Sequence, residues 1–170
     1  MLQLPAEVTN GLNPLVTADP TAMGIISGSV YGKLVEFRTG PGVQALEVVP
    51  DLAESWEIAP DGLTYTFHLR GDVRWQDVPP VSGRPFTSDD VVATFQAVQQ
   101  TPATHAWMLA PVTGITAPDE RTVVFTLDRP YSPLLEYLAY HFNMVLPREG
   151  VEGRYDLATH RAARLAGAFT

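Results

Sequence analysis

Two stretches of strict alternation, each behind a turn, constrain the fold of this chain more than any other feature. Thr64 to Leu69 places Tyr65, Phe67 and Leu69 on one side and Thr64, Thr66 and His68 on the other. Thr122 to Leu127 does the same with Val123, Phe125 and Leu127. A period of two is the signature of strands with one buried face. Pro60-Asp61-Gly62 precedes the first stretch and Pro118-Asp119-Glu120-Arg121 the second. Turn chemistry between alternating runs predicts hairpins, here Trp56–Ile58 with Thr64–Leu69 and Val112–Ala117 with Thr122–Leu127. An antiparallel sheet follows, with Trp56, Phe67 and Phe125 in its core.

Helices are predicted around that sheet. Thr87 can cap a helix whose third residue, Asp90, reaches back to a free backbone N–H. Val91, Val92, Phe95 and Val98 then recur at helical spacing, with Phe95 in the core. Ser132-Pro133 opens a second helix with Leu134, Leu135, Leu138 and Phe142 as its apolar stripe. Asp19-Pro20 opens an earlier one, lined by Met23, Ile26 and Val30, and Leu34 to Phe37 reads as a short strand. Two helices on one face of an antiparallel sheet make the fold class α+β. The fifteen prolines among 170 residues agree with many short elements joined by defined turns, and Thr39-Gly40-Pro41-Gly42 marks a border.

Composition excludes several functions. A formal charge of −8 with scattered Lys and Arg argues against nucleic acid as a partner. The absence of Cys rules out disulfides, Cys-ligated metals and thiol catalysis. His68, His105, His141 and His160 have no ligand spacing, so no metal and no cofactor is expected. Asp89-Asp90 and Asp119-Glu120 are explained by a helix start and a turn. No nucleophile elbow, phosphate loop or zinc-protease motif is present, so no catalytic residue is named. With 45% hydrophobic and 18% charged residues the chain can bury a core, and no apolar run is long enough to span a bilayer.

One ordered series of segments is more specific. Pro50-Asp51-Leu52-Ala53-Glu54-Ser55-Trp56-Glu57 leads into Asp61-Gly62-Leu63-Thr64-Tyr65-Thr66-Phe67-His68-Leu69-Arg70. Val73-Arg74-Trp75-Gln76-Asp77 and Arg84-Pro85-Phe86-Thr87-Ser88-Asp89-Asp90-Val91-Val92 continue the series. Arg121 to Leu127, Pro130-Tyr131-Ser132-Pro133-Leu134-Leu135 and Leu146-Pro147 complete it, with Leu12-Asn13-Pro14 and Tyr31-Gly32-Lys33-Leu34-Val35 upstream. Collinear over about residues 10 to 148, it resembles solute-binding protein family 5, the dipeptide-, oligopeptide- and nickel-binding components of ABC importers.

The resemblance implies part of the type II periplasmic-binding fold. Residues 1–42 would start the first lobe, 43–150 would form an α+β subdomain inserted in it, and 151–170 would head back towards it. That leaves the first lobe incomplete and the second absent, with a signal segment missing upstream. The implied function is capture of a small solute, a peptide above all, for delivery to importer permease subunits in the periplasm or another extracytoplasmic space. Membrane contact would come only through the importer or an N-terminal anchor. A ligand-sensing or protein-interaction module on the same fold is the alternative reading, and a hydrolase the last.

The same resemblance points to ligand contacts. In the nickel-binding branch a Trp in a similar His-Ala-Trp context faces the cleft, and here the segment reads His105-Ala106-Trp107-Met108. Trp107 is thus the first candidate, with packing beneath the sheet as its other reading. Thr17, Met23 and Tyr140 lie near further cleft positions of that branch. Asn143 or Tyr140 stands where some relatives carry a basic group for anionic ligands.

Overall fold

The computed structural model describes residue 15 and residues 31–152, apart from 44, 78 and 102–104. The expected helix after Asp19-Pro20, with Met23 and Thr17, lies outside the described residues, as does the segment after 152.

Two antiparallel sheets share one continuous core. The smaller pairs β1 (Val35–Phe37) with β2 (Val48–Pro50), and the Thr39-Gly40-Pro41-Gly42 stretch lies in their connection. The larger contains β3 (Ala53–Ile58), β4 (Thr64–Leu69), β5 (Val112–Asp119) and β6 (Thr122–Leu127) in the order β3-β4-β6-β5. Both expected hairpins form, and they meet through β4 and β6 with Phe67 opposite Val123 and Tyr65 opposite Phe125.

Turn chemistry fixes the registers. At the first turn Asp61 Oδ1 accepts the Leu63 N–H at 2.9 Å. Gly62 follows with φ +70°, a left-handed conformation that a side chain would strain. At the second, Asp119 Oδ1 accepts the Arg121 N–H at 2.8 Å, and the Ser88 hydroxyl donates to the Asp119 carbonyl at 2.6 Å. That last bond ties the hairpin tip to the start of α1 (Ser88–Gln100).

Alternation predicts the core well in the centre of the sheet and less well at its edge. Phe67, Phe95 and Phe125 are fully buried and meet edge to face, with centroids 5.5 Å and 5.4 Å apart. Trp56 is only partly buried and Ile58 is 45% exposed, because β3 is an edge strand reaching past the cover of α1.

The short helix α2 (Leu134–Ala139) packs on β1 and β2, not beside α1 on the larger sheet. It ends before Phe142, since Tyr140 already has an extended backbone, φ −71° and ψ 147°. A 3₁₀ turn, Ala106–Leu109, sits between α1 and β5 and touches both α1 and α2. The one-turn helix α3 (Arg148–Val151) lies against α1. No described helix is long and apolar enough to cross a membrane.

Candidate functional site

The buried corner at the start of α1 is the most heavily bonded place in the described structure. The capping pattern forms: Asp90 Oδ2 accepts the Thr87 N–H at 3.1 Å, while the Asp90 N–H donates to the Thr87 backbone carbonyl at 3.1 Å. The Thr87 hydroxyl approaches the same N–H without making a hydrogen bond, so it is the looser half of the box.

Asp90 does much more than cap. Fully buried, it accepts four further bonds: from Trp75 Nε1 at 3.0 Å, Arg84 Nη1 at 2.9 Å, Arg84 Nη2 at 2.6 Å and the Arg148 N–H at 3.0 Å. Arg84 also grips both oxygens of Glu149, at 2.7 Å and 2.5 Å, and lies over the Trp75 ring. Burial works against the Arg84 charge, but its bonds to Asp90 and Glu149 outweigh that and raise its pKa further. Burial likewise works against the Glu149 charge, and Arg84 overcomes it, holding that carboxyl below the usual range. Forked guanidinium–carboxylate pairs of this kind are strong and geometrically demanding. With Asp90, Arg84, Glu149 and the Trp75 indole all paired with one another, this corner is a joint, not a site.

The opposite character appears at the other end of α1. Trp107, on the 3₁₀ turn, is 56% exposed and meets Tyr137 of α2 edge to face at 5.3 Å. It therefore does not pack beneath the sheet. Tyr137 also lies 5.9 Å from Tyr131. Tyr140, 40% exposed, lies tilted against His141 and stacks on Phe142, with centroids 4.5 Å and 5.8 Å away. Phe142 in turn stacks on His105 at 5.5 Å, so the rings form two groups, Trp107 with Tyr137 and Tyr131, and His105 with Phe142, Tyr140 and His141, which meet at the 3₁₀ turn as an aromatic shelf.

Asn143, fully buried, ties the shelf together. Its Nδ2 donates to the Tyr137 carbonyl at 2.7 Å and approaches Met108 Sδ at 3.6 Å. A carbonyl only accepts, so the amide orientation is fixed and Oδ1 points the other way. That oxygen, both His105 ring nitrogens and His141 Nε2 have no hydrogen-bond partner among the described residues. Burial pulls the His105 pKa below its usual value; burial and then the Lys33 charge do the same for His141. Among the described residues no group of three His, Asp or Glu side chains could hold a metal ion.

Of the four residues picked from the sequence, Trp107 meets the Tyr137 ring, while Tyr140 reaches Tyr137 only through its backbone N–H on the Tyr137 carbonyl at the end of α2. Thr17 and Met23 fall outside the described residues. Sequence reading missed Tyr137, Phe142 and His105 as shelf members. The aromatic density of residues 137 to 142 was the available signal.

Comparison with known proteins bears on the family and the fold. The family described as bacterial extracellular solute-binding proteins, family 5 Middle, matches residues 47–169. The dipeptide-binding protein of Escherichia coli is 37% identical over 163 residues, covering 88% of this chain and 30% of that protein. Two solved structures superpose closely. The periplasmic binding protein DppA of Helicobacter pylori, in complex with a peptide, gives a TM-score of 0.69 at 29% identity, covering 84% of this chain and 30% of that one. The binding protein MoaA of A. tumefaciens, in complex with mannopinic acid, gives 0.76 at 30% identity, covering 90% and 30%. The observed α+β architecture is thus a part of the periplasmic-binding fold, and the 170 residues span about 30% of the length of these relatives. This chain belongs to the family 5 bacterial extracellular solute-binding proteins.

Proposed function

We propose that the chain supplies one wall of an extracytoplasmic solute-binding site for an ABC importer, and that the solute is a small peptide. The observation that carries this is the exposed Trp107 face, held by Tyr137 on a turn packed against two helices. A large aromatic left open on a braced turn presents a flat apolar surface for a ligand to stack on. Tyr140 is a second exposed aromatic, on the ring group that Phe142 and His105 complete. The role is binding without covalent chemistry: among the described residues the cluster contains no nucleophile beside a base, His105 is buried and His141 is half-buried. In this reading residues 1–42 open the first lobe, 43–150 are its inserted subdomain and 151–170 lead back towards it. The partners are the permease subunits of the importer.

A wall is not a whole site. Two-lobed binders enclose their solute, and losing the opposing contacts at a cost of about 5 kcal/mol turns a micromolar site into one weaker than millimolar. These 170 residues alone should therefore give no saturable calorimetric signal below millimolar with di- to pentapeptides. Substituted for the matching stretch of the E. coli dipeptide-binding protein, the same chain should restore micromolar binding, and Trp107→Ala in that chimera should weaken it about tenfold or more, ~1.4 kcal/mol. A folded chimera that ignores peptides, or binds them equally well without Trp107, would refute this reading.

A further inference from the structure

Trp107 owes its place to its neighbours, and His105 is the one whose chemistry can change under mild conditions. His105 is the residue before the 3₁₀ turn; its carbonyl accepts the Met108 N–H at 3.0 Å, closing the turn that carries Trp107. Its ring is 2% exposed and lies nearly parallel to Phe142, 14° between planes. Neither ring nitrogen has a partner among the described residues. We propose that His105 is a positioning residue for Trp107: the neutral imidazole seats against Phe142 and sets the turn, and its protonation unseats both, dissolving the aromatic shelf in mild acid.

A neutral imidazole can occupy an apolar seat at modest cost. An imidazolium has two N–H donors and a full charge to satisfy. The ring face of Phe142 attracts a cation only weakly compared with lost hydration. Among the described residues the elements touching the turn offer no counter-charge to the ring: the acids of α1, Asp89 and Asp90, lie in its first turn at the far end, and Glu136 of α2 is exposed and acts on Tyr65. Phe142 and Asn143 come from the segment after α2, Met108 from its own turn, and Tyr137 of α2 backs Trp107. The titratable groups in that segment are Tyr140 and His141, both reached through Phe142. Lys33, whose charge acts on His141, is a cation and would repel a second one. Burial is the cause that lowers the His105 pKa. The sign follows: the unfolded or unseated ring takes up a proton first, so the seated state is fully favoured above the ordinary value of 6.5 and loses ground as pH falls below it.

The consequence for solute capture rests on the reading above, but the device can be tested without any solute. In the full 170-residue chain the three Trp indole N–H groups give separate resonances in a ¹H–¹⁵N spectrum, and the Trp107→Phe spectrum identifies that of Trp107. From pH 8 to pH 5 the Trp107 resonance should move with the same midpoint as the His105 ring protons, below 6.5. The Trp75 indole, bonded to Asp90, should stay still and report that the fold is intact. His105→Phe should leave Trp107 without a titration, while His141→Asn should leave it unchanged. A Trp107 resonance that does not move in the parent chain, or that still titrates in His105→Phe, overturns the proposal. If His105→Phe does not fold, the comparison of the two midpoints in the parent chain decides alone. Because no peptide is present, failure here and failure of the binding reading are separate results.

Discussion

The two ends of α1 each gather a Trp and buried polar side chains and put them to opposite use. At its start Trp75, Arg84, Asp90 and Glu149 satisfy one another, with Asp90 taking a bond from each of five N–H groups. At its end Trp107, His105, Tyr140 and Asn143 leave ring faces open and polar atoms unpaired. Buried polar groups that all find partners rigidify a structure. Buried polar groups without partners, beside exposed aromatics, mark a place kept for something besides stability. The tight corner also joins distant parts of the chain. Thr94 Oγ1 accepts the Leu146 N–H at 2.9 Å, and the Val145 N–H donates to the Gly32 carbonyl at 2.9 Å. The segment carrying Asn143 is thus fixed from α1 on one side and from residues 32–33, just before the smaller sheet, on the other. The shelf can remain locally loose because the joint behind it is firm.

The sharpest way to break this contrast is Asp90→Ala. It would leave the Arg84 charge facing Glu149 alone and strip partners from the Trp75 indole, the Thr87 N–H and the Arg148 N–H. Removing one member of a buried pair typically costs about 3–5 kcal/mol, and a urea melt should show a loss of that size. A loss below about 1 kcal/mol would mean that water replaces the carboxylate readily and that the corner is not the rigid end.

How much of this was legible in the sequence depends on how local each feature is. The Thr87 and Asp90 box is a spacing of three and could be read directly. The other partners of Asp90 stand at positions 75, 84 and 148, which only the folded chain brings together. Alternation identified the buried face of β4 and β6, but it cannot say that β3 is an edge, so Trp56 was expected deeper than it lies. The apolar stripe of α2 was read on to Phe142, whereas the helix stops at Ala139 and releases the chain into the shelf. Trp107 emerged from resemblance and Tyr140 with it; His105 and Asn143 entered only as their neighbours, because the unpaired ring nitrogens of His105 and Oδ1 of Asn143 show only in the folded chain.

Acid offers a graded test of the same comparison. Glu149 has a depressed pKa in the folded chain, so the unfolded chain binds protons first as pH falls. Its contribution is fully present above the ordinary carboxyl value of 4.5 and is lost as pH drops through the lower folded value. The His105 end begins to lose stability below 6.5. Hydrogen exchange followed from pH 7 downward should therefore show amides near residues 105–109 losing protection first, and those at the start of α1 holding until below 4.5. Simultaneous loss at both ends would show that the two regions are one cooperative unit.

The smallest effect is expected where the resemblance to known binders is most specific. A Trp in a domain core typically costs about 3–5 kcal/mol when cut to Ala. Trp107 has more than half of its surface in water, at 56% exposure, and its indole has no hydrogen-bond partner to strand among the described residues. What Trp107→Ala removes is one edge-to-face contact with Tyr137, worth about 0.5–1.5 kcal/mol beyond area burial when fully enclosed, and less here. Against that, Ala relieves the free energy of leaving an apolar ring in water. The two terms nearly cancel, so the urea midpoint should move by less than about 0.5 kcal/mol equivalent, the range of ordinary surface changes. A near-zero stability effect, set beside loss of peptide binding in the chimera, is the pattern of a residue retained for a ligand. A loss of 2 kcal/mol or more, on the order of a buried side chain, would mean that Trp107 belongs to the core, and the contrast between the two ends of α1 would fail at its most exposed residue.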